Sequence, residues 1–159
     1  MNKQPLIQAI IASLNESLEV LEKAARASHA EATHESSKAE NKYDTRGLEA
    51  AYLAGGQSRQ AREIHECIAT YAALAIHDFA PNEPIDLTAL VGLEVDGHLS
   101  TYFVGPKSGG LEIQYQSNEV LVITPQSPLG QTLMGKKAGQ RWKAKMGGTL
   151  ATYHVVSVT

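Results

Sequence analysis

From Leu6 to about Ala32 the chain contains no glycine or proline, and apolar residues recur at Ile7, Ile10, Leu14, Leu18, Leu21 and Ala25. Spacings of three and four put these on one stripe of a long helix. At about 1.5 Å per residue such a helix reaches roughly 40 Å, too long to bury its stripe without a partner. A second stripe follows after an interruption: Leu48, Ala51, Ala54, Ala61, Ile64, Ile68, Tyr71 and Ala75. The two predict an antiparallel helical hairpin. Ala50, Ala51, Ala54, Gly55 and Gly56 let the backbones approach near its tip, and the glycine pair also admits a bend.

Between the stripes lies the polar stretch from Glu31 to Gly47, where the chain reverses. Ser36-Ser37 and Asp44-Thr45 are both good caps for the start of the second helix, and the pattern does not choose between them. Pro81-Asn82-Glu83-Pro84 is expected to end that helix, since proline lacks a donor and disfavours helix at the residue before it. The expected domains are residues 1–80, a coiled-coil hairpin, and residues 81–159.

Beyond Pro84 the period changes. Val91–Val95, Thr101–Val104, Leu111–Tyr115, Val120–Thr124 and Tyr153–Val158 are short β-branched or aromatic runs separated by turn residues such as Asp96-Gly97, Gly109-Gly110 and Ser117-Asn118. Arg141–Met146 is a candidate further strand. Inside this region Ser127 suits an N-cap, Pro128 a first helical position and Gly135 a C-terminal stop, which predicts one short helix. The fold class is therefore α+β, a helical hairpin followed by a small antiparallel sheet carrying one helix.

Composition narrows the function classes. The formal charge of -3 divides into eight basic and eleven acidic residues up to Phe79 and six of each after it, so neither half is a bulk polyanion binder. Cys67 is the only cysteine, which excludes an intramolecular disulfide and a thiolate zinc cluster within one chain. His29 and His34 are five apart, a poor spacing for two ligands on one helix face. No segment approaches the roughly 18 apolar residues of a membrane span, and the start of the chain lacks a signal-type core. A cytoplasmic, reducing location is expected.

Two segments carry a resemblance. Glu40-Asn41, with Glu31-Ala32 before and Glu49 after, and Ser127-Pro-Leu-Gly-Gln-Thr-Leu-Met-Gly-Lys136 resemble motifs of the Gre (GreA/GreB) family of bacterial transcript-cleavage factors. Thr101-Tyr-Phe-Val-Gly105 resembles a strand of the same family, and the order of hairpin then β domain agrees, so the likeness covers most of the chain. It implies an FKBP-like second domain, bacterial RNA polymerase as partner, and a hairpin that enters the polymerase secondary channel. It also implies contact with nucleic acid only through that complex, and no independent active site. Separately, the chain is expected to be a monomer. Partner contacts are then expected at Asn41, Ser127, Pro128, Leu129, Gly130, Leu133, Gly135 and Lys136.

The chemistry implied for the tip is cleavage of backtracked RNA, assisted by carboxylates that help hold a weakly bound Mg²⁺ of the polymerase. Glu40 stands at the family position. Glu40 and Asp44, at i and i+4, share a helix face and are the expected pair on a common ion, with Glu35 as a further tip carboxylate. The chain departs from the family in three ways: the first helix is shorter, the tyrosine is displaced to Tyr43, and Ser37 stands where the family has an aspartate. That serine gives the alternative of a non-cleaving channel modulator. A prolyl isomerase is a distant alternative, because few aromatic residues follow Glu83. The basic run Lys136, Lys137, Arg141, Lys143 and Lys145 around Trp142 reads as a solvated face or as a nucleic-acid contact.

Overall fold

The computed structural model describes residues 2–34, 46–146 and 148–159. Its elements are helices α1 (Gln4–Thr33), α2 (Arg46–Ala72) and α3 (Pro128–Leu133), and strands β1 (Leu90–Val95), β2 (His98–Val104), β3 (Glu112–Tyr115), β4 (Asn118–Ile123), β5 (Arg141–Met146) and β6 (Thr149–Val158). This is the α+β arrangement expected from the change of period. Compactness divides the chain into Ile11–Ala69 and a unit of Met1–Ile10 with Thr70–Thr159.

The Ile11–Ala69 unit is two antiparallel helical segments. Glu22 of α1 meets His65 of α2 at 3.3 Å, and nearer the far end Ala25, His29, Ala30 and Thr33 line one groove with Ala51, Ala54, Gly55 and Ser58. Leu14, Leu18, Ala54 and Ala61 are buried, as the three-and-four spacing requires. Leu48 is not: it is 58% exposed, together with Tyr52 and Leu53. The helix runs unbroken through Gly55-Gly56.

The second unit is built on a six-stranded sheet of order β3-β4-β2-β1-β6-β5. Among the described residues four of the five strand pairs are antiparallel, as expected, while β2 and β4 pair in parallel, Thr101 with Val120 through Val104 with Ile123. After β2 the chain passes to the sheet edge to lay down β3, then turns back into the slot between β3 and β2, which gives β4 the direction of β2. The β1–β2 turn places Asp96 and Gly97 at φ 47° and 86°, and the β3–β4 turn places Gln116 and Ser117 at 49° and 64°. Positive φ at both central residues matches the twist of a two-residue hairpin.

One face of the sheet buries Val91, Leu93, Val104, Ile123, Tyr153 and Val155 with Ile85, Ala89 and Leu133 of α3. The other face buries Phe103, Val120, Val122, Ile113 and Tyr115. The start of the chain reaches this second face: Tyr115 Oη donates to the Asn2 carbonyl at 2.9 Å, and Leu6, Ile7 and Ile10 are buried.

Helix α2 ends at Ala72, short of the proline cluster that was expected to stop it. Tertiary bonds within the sheet unit win over local propensity there. The Lys3 ammonium donates to the His77 carbonyl at 2.5 Å, the His77 N–H to Thr88 Oγ1 at 3.0 Å, and Tyr71 Oη to the Lys107 carbonyl at 2.7 Å. Lys3 is 1% exposed and lies 4.8 Å from the Phe79 ring centre. Burial pushes its pKa below the usual lysine value, opposed by the charge of Asp78. Glu83 accepts from the Ala80 N–H at 2.7 Å and meets His77 Nε2 at 2.6 Å, and these two bonds hold its carboxyl below the ordinary range.

Tyr71 also explains Gly105. A Cβ there would fall on the Tyr71 hydroxyl and 3.0 Å from Val122 Cγ1, and Tyr71, 1% exposed, has little room to retreat. Gly105→Ala is expected to cost about 2 kcal/mol by overpacking. Tyr71→Phe alone costs about 1 kcal/mol, for the lost bond to Lys107. The double variant should lose less than the sum, because removing the hydroxyl opens the space the new methyl needs. Urea denaturation of the four proteins measures this, and strict additivity would sink the explanation.

Candidate functional site

The segment from Ser127 to Lys136 is a short helix locked at both ends. Ser127, extended at φ -65° and ψ 154°, accepts from the Gly130 N–H at 3.0 Å through its Oγ and donates that hydroxyl to the Thr124 carbonyl at 2.8 Å. One side chain thus satisfies a free first-turn donor and ties the helix start to the end of β4. Pro128 occupies the first turn, where its missing N–H is no loss.

At the other end Gly135 takes φ 77°, a conformation that side chains disfavour. Its N–H donates to the Ile85 carbonyl at 2.9 Å, and the Ile85 N–H donates to the Lys136 carbonyl at 2.7 Å. The helix end is thereby stitched to the residues that precede β1. Gly130 is buried against Thr124, with no space for a methyl group.

This geometry divides the residues expected to meet a partner. Leu133 is fully buried and Gly130 is buried, while Leu129 and Met134 pack on the core, so these four shape the segment from beneath. Pro128, Gln131 and Gly135 are exposed and form its outer surface. Gln131 is fixed there by a 3.0 Å bond from its Nε2 to the Gln126 carbonyl. Lys136 lies with its ammonium 4.6 Å from the Trp142 ring centre, and Trp142 stacks on Tyr153 at 5.2 Å. The pattern of residues had marked the segment but not its anchors, Thr124 and Ile85. Thr124 stands three residues before Ser127, a spacing suited to a local turn bond, whereas Ile85 carries no sequence signal for its role.

Glu35, Ser37, Glu40, Asn41 and Asp44 lie outside the described residues, as do the alternative caps Ser36 and Thr45. What is described are the helix ends that flank them. Thr33 Oγ1 bonds the His29 carbonyl at 2.9 Å near the end of α1, and Glu49 sits in the first turn of α2, where a negative charge is favoured. Among the described residues no group of three or more His, Cys, Asp or Glu side chains is placed to hold a metal ion, and no helix is long and apolar enough to cross a membrane.

No family model matches the chain, and no curated protein does. Among solved structures it is similar to the GreA factor homolog 1 (Gfh1) protein of Thermus thermophilus, at 19% identity over 94% of both chains with a TM-score of 0.37. It is also similar to Gfh1 of Thermus aquaticus, at 20% identity over 95% of this chain and 94% of that one with a TM-score of 0.38. A third similarity is to the prokaryotic transcription elongation factor GreA/GreB from Nitrosomonas europaea, at 19% identity over 60% of this chain and 78% of that one with a TM-score of 0.37.

Proposed function

We propose that this chain is a secondary-channel factor of bacterial RNA polymerase, in which the Ser127–Lys136 segment docks on the enzyme and the acidic end of the hairpin is delivered toward its active site to stimulate transcript cleavage. The observation that carries the reading is the Ser127–Lys136 motif, which resembles that of the Gre family and folds into a pinned, partly exposed helix start. Surface loops held by a rigid scaffold are common recognition sites.

The protein has no catalytic constellation of its own in this reading. Glu40 and Asp44, with Glu35, supply carboxylate oxygens, the ligand type Mg²⁺ favours. Ser37 supports a second reading, a channel-binding modulator that does not stimulate cleavage, because it removes one carboxylate from the family pattern.

Both readings require binding to the polymerase. The tagged protein should retain core RNA polymerase in a pull-down, and Pro128→Asp with Gln131→Asp should weaken that retention at least about tenfold, the effect of roughly 1.4 kcal/mol. Absence of retention by the unaltered chain would remove both readings together.

A further inference from the structure

We propose that the outer face of β5 is a contact surface for the phosphate backbone of double-stranded nucleic acid, independent of any polymerase. Five of the six basic residues after Phe79 fall between positions 136 and 145, and no acidic residue does. The structure sorts them. Trp142 and Ala144 pack toward the core, which leaves Arg141, Lys143 and Lys145 on the opposite face, all exposed. None of the three shows an ion pair among the described residues.

Their cross-strand partners carry no acidic side chain. Across the β5–β6 ladder Arg141, Lys143 and Lys145 lie opposite His154, Thr152 and Leu150. The acidic groups beyond β6 are engaged elsewhere: Glu94 lies 3.8 Å from His154, and Asp96, in the β1–β2 turn, accepts through Oδ1 from the Thr152 N–H at 2.8 Å. Alternate positions on a strand are about 6.7 Å apart, so the three charges form a straight row with a spacing close to that of neighbouring phosphates along a strand.

The choice of duplex over single strand comes from the aromatic residues. Single-stranded chains are held by stacking bases on exposed rings, whereas Trp142 and Tyr153 turn inward and stack on each other. The exposed apolar residue opposite Lys145 is Leu150, 63% exposed, which offers no ring. A row of cations without a stacking platform fits backbone contact that is independent of sequence.

Fluorescence anisotropy of a labelled duplex of about 20 base pairs and mixed sequence, titrated with the intact protein, tests this. Three phosphate contacts predict a log–log salt slope of about -2.7, so affinity should fall about 40-fold between about 50 and about 200 mM salt. Each of Arg141→Gln, Lys143→Gln and Lys145→Gln should flatten the slope by about 0.9, and the triple variant should lose binding while its circular dichroism melt stays unchanged. Unaltered duplex affinity in the triple variant would overturn the proposal. So would tighter binding of a single strand of the same length, or equal binding of a polyglutamate of matched charge. The assay contains no polymerase, so its failure leaves the proposed function standing, and a failed pull-down leaves this surface standing.

Discussion

Under the proposed cleavage-stimulating function, Glu40→Ala is expected to abolish the shortening of RNA in a stalled, backtracked polymerase complex, a loss of at least about 100-fold. A carboxylate that helps hold a weakly bound metal has no substitute in a methyl group, because neither an oxygen ligand nor a charge remains. Ser37→Asp tests the same chemistry in the opposite direction by restoring the carboxylate at the family position, and should raise the cleavage rate about tenfold. Cleavage by Glu40→Ala as fast as by the unaltered protein would remove Glu40 from the mechanism. Binding without any shortening by the unaltered protein, joined to a gain on Ser37→Asp, would assign the chain to the non-cleaving reading.

The second large effect is on stability. Gly130→Ala places a methyl group on the Thr124 carbonyl oxygen, 2.8 Å from that carbonyl carbon and 2.9 Å from Ser127 Oγ. None of these atoms is the free end of a flexible side chain. The Ser127 hydroxyl is committed to Thr124 and to Gly130 itself, so relief requires moving the helix start off the end of β4. We expect a loss of about 3 kcal/mol, at the upper end of overpacking effects because the obstacle is backbone. Thermal and urea unfolding measure it, and a loss below about 0.5 kcal/mol would show that the α3 start is far softer than its bonds imply.

The elements of the sheet unit were legible because β-branched runs alternate with strong turn residues, and the Ser127, Pro128 and Gly135 punctuation marked α3. What local pattern could not carry was the order of strands. Whether β4 lies outside or inside β3 changes no residue's alternation, yet it decides whether β2 gains a parallel neighbour. The end of α2 was misread for a related reason. Ala73, Leu74 and Ala75 favour helix, and only bonds from Lys3, Thr88 and Lys107 reveal why the chain leaves it at Ala72. Lys3 itself reads as an ordinary solvated cation near the start of a helix, and nothing in the pattern announces its burial. In the candidate site, the motif marked the segment from Ser127 to Lys136, but burial separated the outward residues Pro128, Gln131 and Gly135 from the supporting Gly130 and Leu133.

The two bonds between Ile85 and the Gly135-Lys136 corner, with the Ser127 lock at the opposite end, have a thermodynamic consequence for any encounter. A mobile loop loses conformational entropy when a partner fixes it, and that loss subtracts from affinity. Here the loss is met when the sheet unit folds, since each end of the segment is tied to a residue of the core scaffold. Association should therefore proceed close to rigid-body docking, with a small entropic penalty. Variants that leave the locks intact should then differ mainly in how long the complex lives and little in how fast it forms.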